Sequence, residues 1–80
     1  MRMEQLLYLL VISQSPSMSA ASQKIHLTPQ ALSISIKHLE EELGLELIKR
    51  TNRGTTLTEK GWALVHLTRT YLVAIARLAA

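Results

Sequence analysis

Thr28-Pro29-Gln30-Ala31-Leu32-Ser33-Ile34-Ser35-Ile36-Lys37-His38-Leu39-Glu40-Glu41-Glu42-Leu43-Gly44 is the stretch whose reading decides the fold. Thr28 offers a hydroxyl that can accept a hydrogen bond from a backbone N–H of a first helical turn. Pro29 suits the first helical position, where its missing N–H is no loss. Leu32, Ile36, Leu39 and Leu43 then recur at spacings of four, three and four, which places them on one side of a 3.6-residue helix. Gln30, Ile34, Lys37 and Glu41 fall on the opposite side. Gly44 stands where a left-handed residue commonly closes a helix.

The outer face of this helix is the candidate functional surface. Its first half presents Gln30, Ser33, Ile34 and Lys37, which carry amide, hydroxyl, apolar and cationic ends. Its last turn carries Glu40, Glu41 and Glu42, where the helix dipole is already negative. Such a helix cannot lie full length against phosphates. It can point its N-terminal half into a major groove and hold the acidic end clear. Taken alone, the same pattern is also that of any surface helix with a solvated polar face.

The residues on the N-terminal side add a second helix. Ser17 is suited to cap a short helix over Met18-Ser19-Ala20-Ala21-Ser22-Gln23-Lys24-Ile25, rich in small side chains, and His26-Leu27 leave room for a tight turn before Thr28. Two helices joined by three or four residues, with small residues where they cross, form a helix-turn-helix.

The chain has 80 residues, enough for one domain with a modest core. Nine Lys and Arg against six acids give a net charge of +3, a mildly basic balance compatible with an anionic partner. The absence of cysteine excludes disulfide scaffolds and thiolate metal sites and suits a reducing cytoplasm. Met3 to Ser13 is apolar on nearly every side, so a helix there must be covered on every side, by another subunit or by the last helix. Val11 and Ile12 would also suit a buried strand, but the leucine content and length favour helix. Arg2, the run Leu6 to Ile12 and Met18-Ser19-Ala20 faintly suggest a signal peptide. Glu4 in the leader, and a cleavage point that would cut the helix-turn-helix, argue against it. The run is also too short to span a bilayer.

After Gly44, Leu45 to Arg50 partly alternates, Thr51-Asn52-Arg53-Gly54 has turn chemistry, and Thr55-Thr56-Leu57-Thr58 favours strand. A small hairpin follows, with Gly54 at positive φ and Lys49, Arg50 and Arg53 near its tip. Placed after a helix-turn-helix, it has the composition and order of a DNA-contacting wing. The last segment opens with Thr58 as cap and Glu59 in the first turn. Leu64, Leu67, Tyr71, Ala74 and Leu78 then alternate spacings of three and four, a coiled-coil seam widened by Leu72, Ile75 and Ala79. Dimerisation through this helix is the economical reading; packing within its own subunit is the competing one.

Ala21 through Ser33, then Ile36, Leu39 through Gly44, Leu47-Ile48, Arg50, Arg53 and Leu57-Thr58-Glu59-Lys60-Gly61 resemble, without gaps, the N-terminal domain of LysR-type transcriptional regulators. The resemblance implies a mainly α fold: a winged helix-turn-helix with a three-helix core and a β-hairpin wing over residues 1–58, then a dimerising linker helix over 59–80. It implies binding of a homodimer to an interrupted palindrome in double-stranded DNA near promoters. The chain departs from the family in several places. Ala21-Ser22 stands where members often have two alanines. Thr28-Pro29-Gln30 replaces Ser-Gln-Pro, displacing the glutamine by one residue. Ile34 stands where Arg or Lys is frequent, and can pack on a thymine methyl but cannot donate to guanine. Ile48 replaces a phenylalanine. Members also carry a large C-terminal effector-binding domain with no counterpart here, so the chain reads as a DNA-binding fragment without an effector of its own.

Enzymatic constellations are missing. His26, His38 and His66 are scattered, with no partner at metal-ligand spacing on the same face, and Glu40 to Glu42 is a charge run rather than an acid–base pair. No cofactor, metal or membrane is expected. Two functions stay open. In the first, Gln30, Ser33, Ile34 and Lys37 face bases or nearby phosphates in the major groove. Thr28, Pro29, Arg50, Arg53 and Thr56 hold the backbone or minor groove, and Leu64, Leu67, Tyr71, Ile75 and Leu78 pair two copies. In the second, the apolar first and last helices bind a protein partner and the helix-turn-helix is architectural.

Overall fold

The computed structural model describes residues 1–79. Its elements run α1 (Met3–Ser13), α2 (Met18–Lys24), α3 (Pro29–Leu43), β1 (Ile48–Thr51), β2 (Gly54–Leu57) and α4 (Glu59–Ala79). The strand alternative for the first segment is thereby excluded. Ala80, the end of the segment expected to form the linker helix, lies outside the described residues.

The helix boundaries follow their caps. Ser17 Oγ accepts the Ala20 N–H at 3.0 Å, and Thr28 Oγ1 accepts the Ala31 N–H at 3.0 Å. Gly44 closes α3 in the left-handed region, φ 67°. The turn of the helix-turn-helix is closed differently. His26 takes φ 57° without being glycine, and the Leu27 N–H reaches back to the Ser22 carbonyl at 3.0 Å. That backbone bond holds His26 in a conformation that disfavours L residues.

Leu32, Ile36 and Leu39 on the back of α3 are fully buried with Leu9 and Ile12 of α1 and Ala21 of α2. Burying each such leucine or isoleucine stabilises by about 1.5–3 kcal/mol. Ala21 and Ser22 are both buried where α2 crosses α3, and the Ser22 hydroxyl donates to the Ser19 carbonyl at 2.8 Å. Serine therefore keeps the close crossing without an unsatisfied polar group.

The core is shared by four helices rather than three. Val65 belongs to it, and Gly61 and Thr68 are buried beside it. Thr68 satisfies its hydroxyl on the Leu64 carbonyl at 2.8 Å. The inward stripe of α4 is thus Gly61, Val65, Thr68 and the half-buried Leu72, a different side from most of the leucine seam. Leu64, expected in the dimer seam, is half-buried against the core of its own chain. α1 packs against α2, α3 and α4 of its own chain, which buries Leu9 and Ile12 and half-buries Leu6, Tyr8, Leu10 and Val11, while Met3 and Leu7 stay exposed.

β1 and β2 pair antiparallel, with Ile48 opposite Leu57, Lys49 opposite Thr56, Arg50 opposite Thr55 and Thr51 opposite Gly54. The hairpin therefore extends one residue further on each side than the wing expected at 49–56. Gly54 has φ 116°, as its place after the turn requires.

Gly61 is the closest point between α4 and the start of the wing. A Cβ built there would lie 2.1 Å from the Leu47 carbonyl oxygen, which is backbone and cannot turn aside. Gly61→Ala should therefore lower the stability measured by urea unfolding by about 1–3 kcal/mol or more, although alanine is ordinarily the better helix former.

Candidate nucleic-acid interface

The exposed face of α3 is set by its buried one. With Leu32, Ile36 and Leu39 turned inward, Gln30, Ile34 and Lys37 are exposed, and Ile34 keeps 55% of its surface accessible. An isoleucine this open on a helix whose back is fully packed has no structural role in the monomer. Thr28 and Pro29 are also exposed at the helix start. The Thr28 hydroxyl oxygen accepts from the helix, leaving its own proton free to donate.

The hairpin stands beside this face. Arg50 Nη2 donates to Ser33 Oγ, and Pro29, Gln30, Ser33, Ile34, Arg50 and Thr55, with Met18 of α2, line one shallow concavity of about 430 Å³. Strand alternation explains the membership. Arg50 and Thr55 are cross-strand partners on one hairpin face, continuing the face of Ile48 and Leu57 that packs on the core. Lys49 and Thr56 form the pair on the other face, so Thr56 does not join the concavity and Thr55 does. Arg53 is exposed in the turn, where its N–H donates to the Thr51 hydroxyl at 3.2 Å.

Met18 and Thr55 are the residues that pattern reading missed. Met18 read only as part of a short helix, and Thr55 differs from Thr56 solely by strand parity, which depends on register.

Glu40 also changes role. It is not part of a solvated acidic run: its Oε2 accepts the Leu47 N–H at 2.7 Å and the Ile48 N–H at 3.3 Å. The carboxylate thereby ties the last turns of the recognition helix to the first strand of the wing, and its charge is spent on two backbone donors. Glu41 and Glu42 remain exposed, with Glu42 paired to the N-terminal ammonium.

Among the described residues the ion pairs are Met1–Glu42 and Arg2–Glu4. Lys37, Lys49, Arg50 and Arg53 are therefore not paired to carboxylates, although Glu40 and Glu46 line the concavity that Lys37 and Arg50 share. No group of three metal-ligating side chains occurs among the described residues. None of their helices is long and apolar enough to cross a membrane.

Residues 3–62 match the family described as bacterial regulatory helix-turn-helix protein, lysR family. The chain belongs to the LysR family. This LysR-family domain is 30% identical over 77 residues to the HTH-type transcriptional regulator TcbR of Pseudomonas sp. (strain P51), covering 96% of this chain and 26% of that protein. It is 35% identical over 72 residues to the DNA-binding transcriptional dual regulator OxyR of Escherichia coli (strain K12), covering 90% of this chain and 24% of that one. The chain thus spans about a quarter of the length of the curated relatives it matches. Its fold is similar to that of the CbnR DNA-binding domain in complex with DNA, with a TM-score of 0.87 at 29% identity, covering 99% of this chain and 91% of that one. It is likewise similar to the BenM DNA-binding domain bound to benA site 1 DNA, with a TM-score of 0.88 at 26% identity and coverages of 99% and 89%. The winged helix-turn-helix is that of a LysR-family DNA-binding domain.

If Glu40 carries the wing, Glu40→Ala leaves the Leu47 and Ile48 N–H groups without that acceptor. It should lower stability by about 1–3 kcal/mol. Faster amide exchange at Ile48 to Leu57 than at Leu32 to Leu39, followed by NMR, would place the loss in the hairpin.

Proposed function

We propose that this domain binds double-stranded DNA sequence-specifically as a homodimer at an interrupted palindromic promoter site. The observation that carries this reading is the pairing of an exposed, uncharged-to-cationic first half of α3 with a hairpin whose cations have no carboxylate partners. The start of α3 enters the major groove, with Gln30, Ile34 and Lys37 towards base edges and Ile34 suited to a thymine methyl. Thr28 and Pro29 sit at the positive end of the helix dipole, near a phosphate. Arg53, Lys49 and Thr56 reach the backbone or the minor groove from the wing. The likeness to CbnR and BenM domains whose structures are DNA complexes supports this placement.

The two-fold partner is a second copy. α4 has 21 residues, a length of about 32 Å at about 1.5 Å per residue. Beyond its inward stripe it leaves Leu67, Tyr71, Ile75 and Leu78 exposed, Leu67 at 63% and Leu78 at 84%. With Ala74 they form a seam of alternating three and four spacings, rotated away from the side that packs on α1. A repeat of this kind pairs with its own image about a two-fold axis, as a palindromic site requires. In this reading residues 1–58 read the DNA and 59–80 link and pair the copies. On the same reading the domain works in the cytoplasm without a cofactor of its own.

The experiment begins with selection of bound duplexes from a random pool, followed by a salt titration on the selected site. Affinity should fall steeply as salt rises, because phosphate contacts release counterions. Arg53→Ala should weaken binding to all duplexes and reduce the log–log salt slope by about one. Gln30→Ala or Ile34→Ala should instead change which sequence is preferred. Salt-independent association, or equal losses on every duplex for both kinds of variant, would count against the reading. Sedimentation should show a dimer that Leu67→Glu with Tyr71→Glu converts to monomer without unfolding it.

A further inference from the structure

Strand parity turns Arg50, alone among the hairpin cations, towards α3. Among the hairpin cations, Lys49 lies on the face turned away from the concavity beside α3, and Arg53 is in the turn. Arg50 instead crosses to α3 and donates to the hydroxyl of Ser33. It lines the concavity that contains Gln30 and Ile34, and it also borders a second one, which contains Lys37, Glu40 and Glu46. Its guanidinium is therefore laid along the recognition helix itself. Of the two acids lining that second concavity, Glu40 is engaged with the Leu47 and Ile48 N–H groups, and neither it nor Glu46 forms an ion pair with Arg50.

A guanidinium fork can hold a phosphate as well as a base edge, and what points to a base here is its placement against Ser33, in the concavity that Gln30 and Ile34 of α3 line. A guanine edge presents two acceptors, O6 and N7, and is recognised by two parallel N–H donors held in one plane. The Ser33 hydroxyl supplies that restraint, using one N–H of Arg50 and leaving the others of the planar fork free. We propose that Arg50 and Ser33 act as one base-reading unit, in which Ser33 orients the Arg50 fork towards a guanine in the major groove. Arg50 is then a specificity residue delivered by the wing rather than a backbone clamp, and Ser33 is its positioning residue. This also supplies the guanine donor that Ile34 cannot provide. The inference rests on the DNA-binding reading above.

The test uses the duplex selected by the wild-type domain, its single-base-pair variants, and a version with 7-deazaguanine at each guanine of one half-site. Wild type should lose at least about tenfold in affinity when one particular guanine is replaced or loses N7. Arg50→Ala and Arg50→Lys should abolish discrimination at that base pair while other positions stay selective. Ser33→Ala should weaken discrimination at the same base pair. Thermal melting checks that each variant is folded, and Arg50→Lys keeps the charge if Arg50→Ala does not fold. A uniform loss on all duplexes with a salt slope lower by about one, restored by Arg50→Lys, would make Arg50 a phosphate contact and overturn the proposal. Discrimination lost in Ser33→Ala at a different base pair would overturn the pairing. If the wild-type domain selects no sequence at all, it is the DNA-binding reading that fails.

Discussion

Leu47 is the point at which the three functional elements are joined. Its N–H donates to the Glu40 carboxylate of the recognition helix, its carbonyl accepts the Thr58 N–H at 2.9 Å, and its side chain is fully buried. Gly61 lies directly against the same carbonyl. Thr58 reinforces the junction by accepting the Gly61 N–H at 3.0 Å and donating to the Glu46 carbonyl at 2.5 Å. One residue thus sets the wing relative to α3 and the start of α4 relative to both. Backbone hydrogen bonds and a side-chain-free contact suit this purpose, since they leave little rotamer freedom through which the wing could drift.

The interface is the consequence of that junction and of the packed back of α3. Burial of Leu32, Ile36 and Leu39 fixes the rotation of the helix about its axis, which decides that Gln30, Ile34 and Lys37 face outward. The Glu40 link then brings β1 alongside, so that Arg50 meets Ser33 while Lys49 and Arg53 stay available at the rim. The charges sort themselves accordingly: Glu40 is consumed by backbone donors, and Glu41 and Glu42 sit at the far end of α3. The cations near its start are left without partners, a distribution suited to a polyanion approaching from one side.

The last helix serves two surfaces at once. Gly61, Val65, Thr68 and Leu72 face the domain, and Leu67, Tyr71, Ala74 and Leu78 face away from it. Its first turns are part of the core of the domain, so any partner gripping its outer stripe is coupled rigidly to the recognition helix through Gly61 and Leu47. Two copies joined along this stripe would hold their recognition helices at a spacing set by packed side chains rather than by a flexible tether, which is what reading two half-sites demands.

Local chemistry alone determined much of this protein. The hydroxyl caps Ser17 and Thr28, Pro29 at the first helical position and Gly44 in the left-handed region act within one or two helical turns, so α2 and α3 were legible to within a residue. The three-and-four spacing of Leu32, Ile36 and Leu39 likewise marked the buried side of α3, and Gly54 marked the turn of the hairpin. Tertiary structure decided what depends on contacts distant in the chain. Leucine spacing on α4 marked one stripe, but it did not mark the side that packs on the domain, the one with Gly61 and Thr68. Close approach to the Leu47 backbone selects for a missing side chain, and a threonine can satisfy its hydroxyl on its own helix. Glu40 read as surface charge because its partners lie seven and eight residues ahead across a turn. Thr55 rather than Thr56 faces α3 because strand parity is set by pairing register, which no single strand's composition specifies.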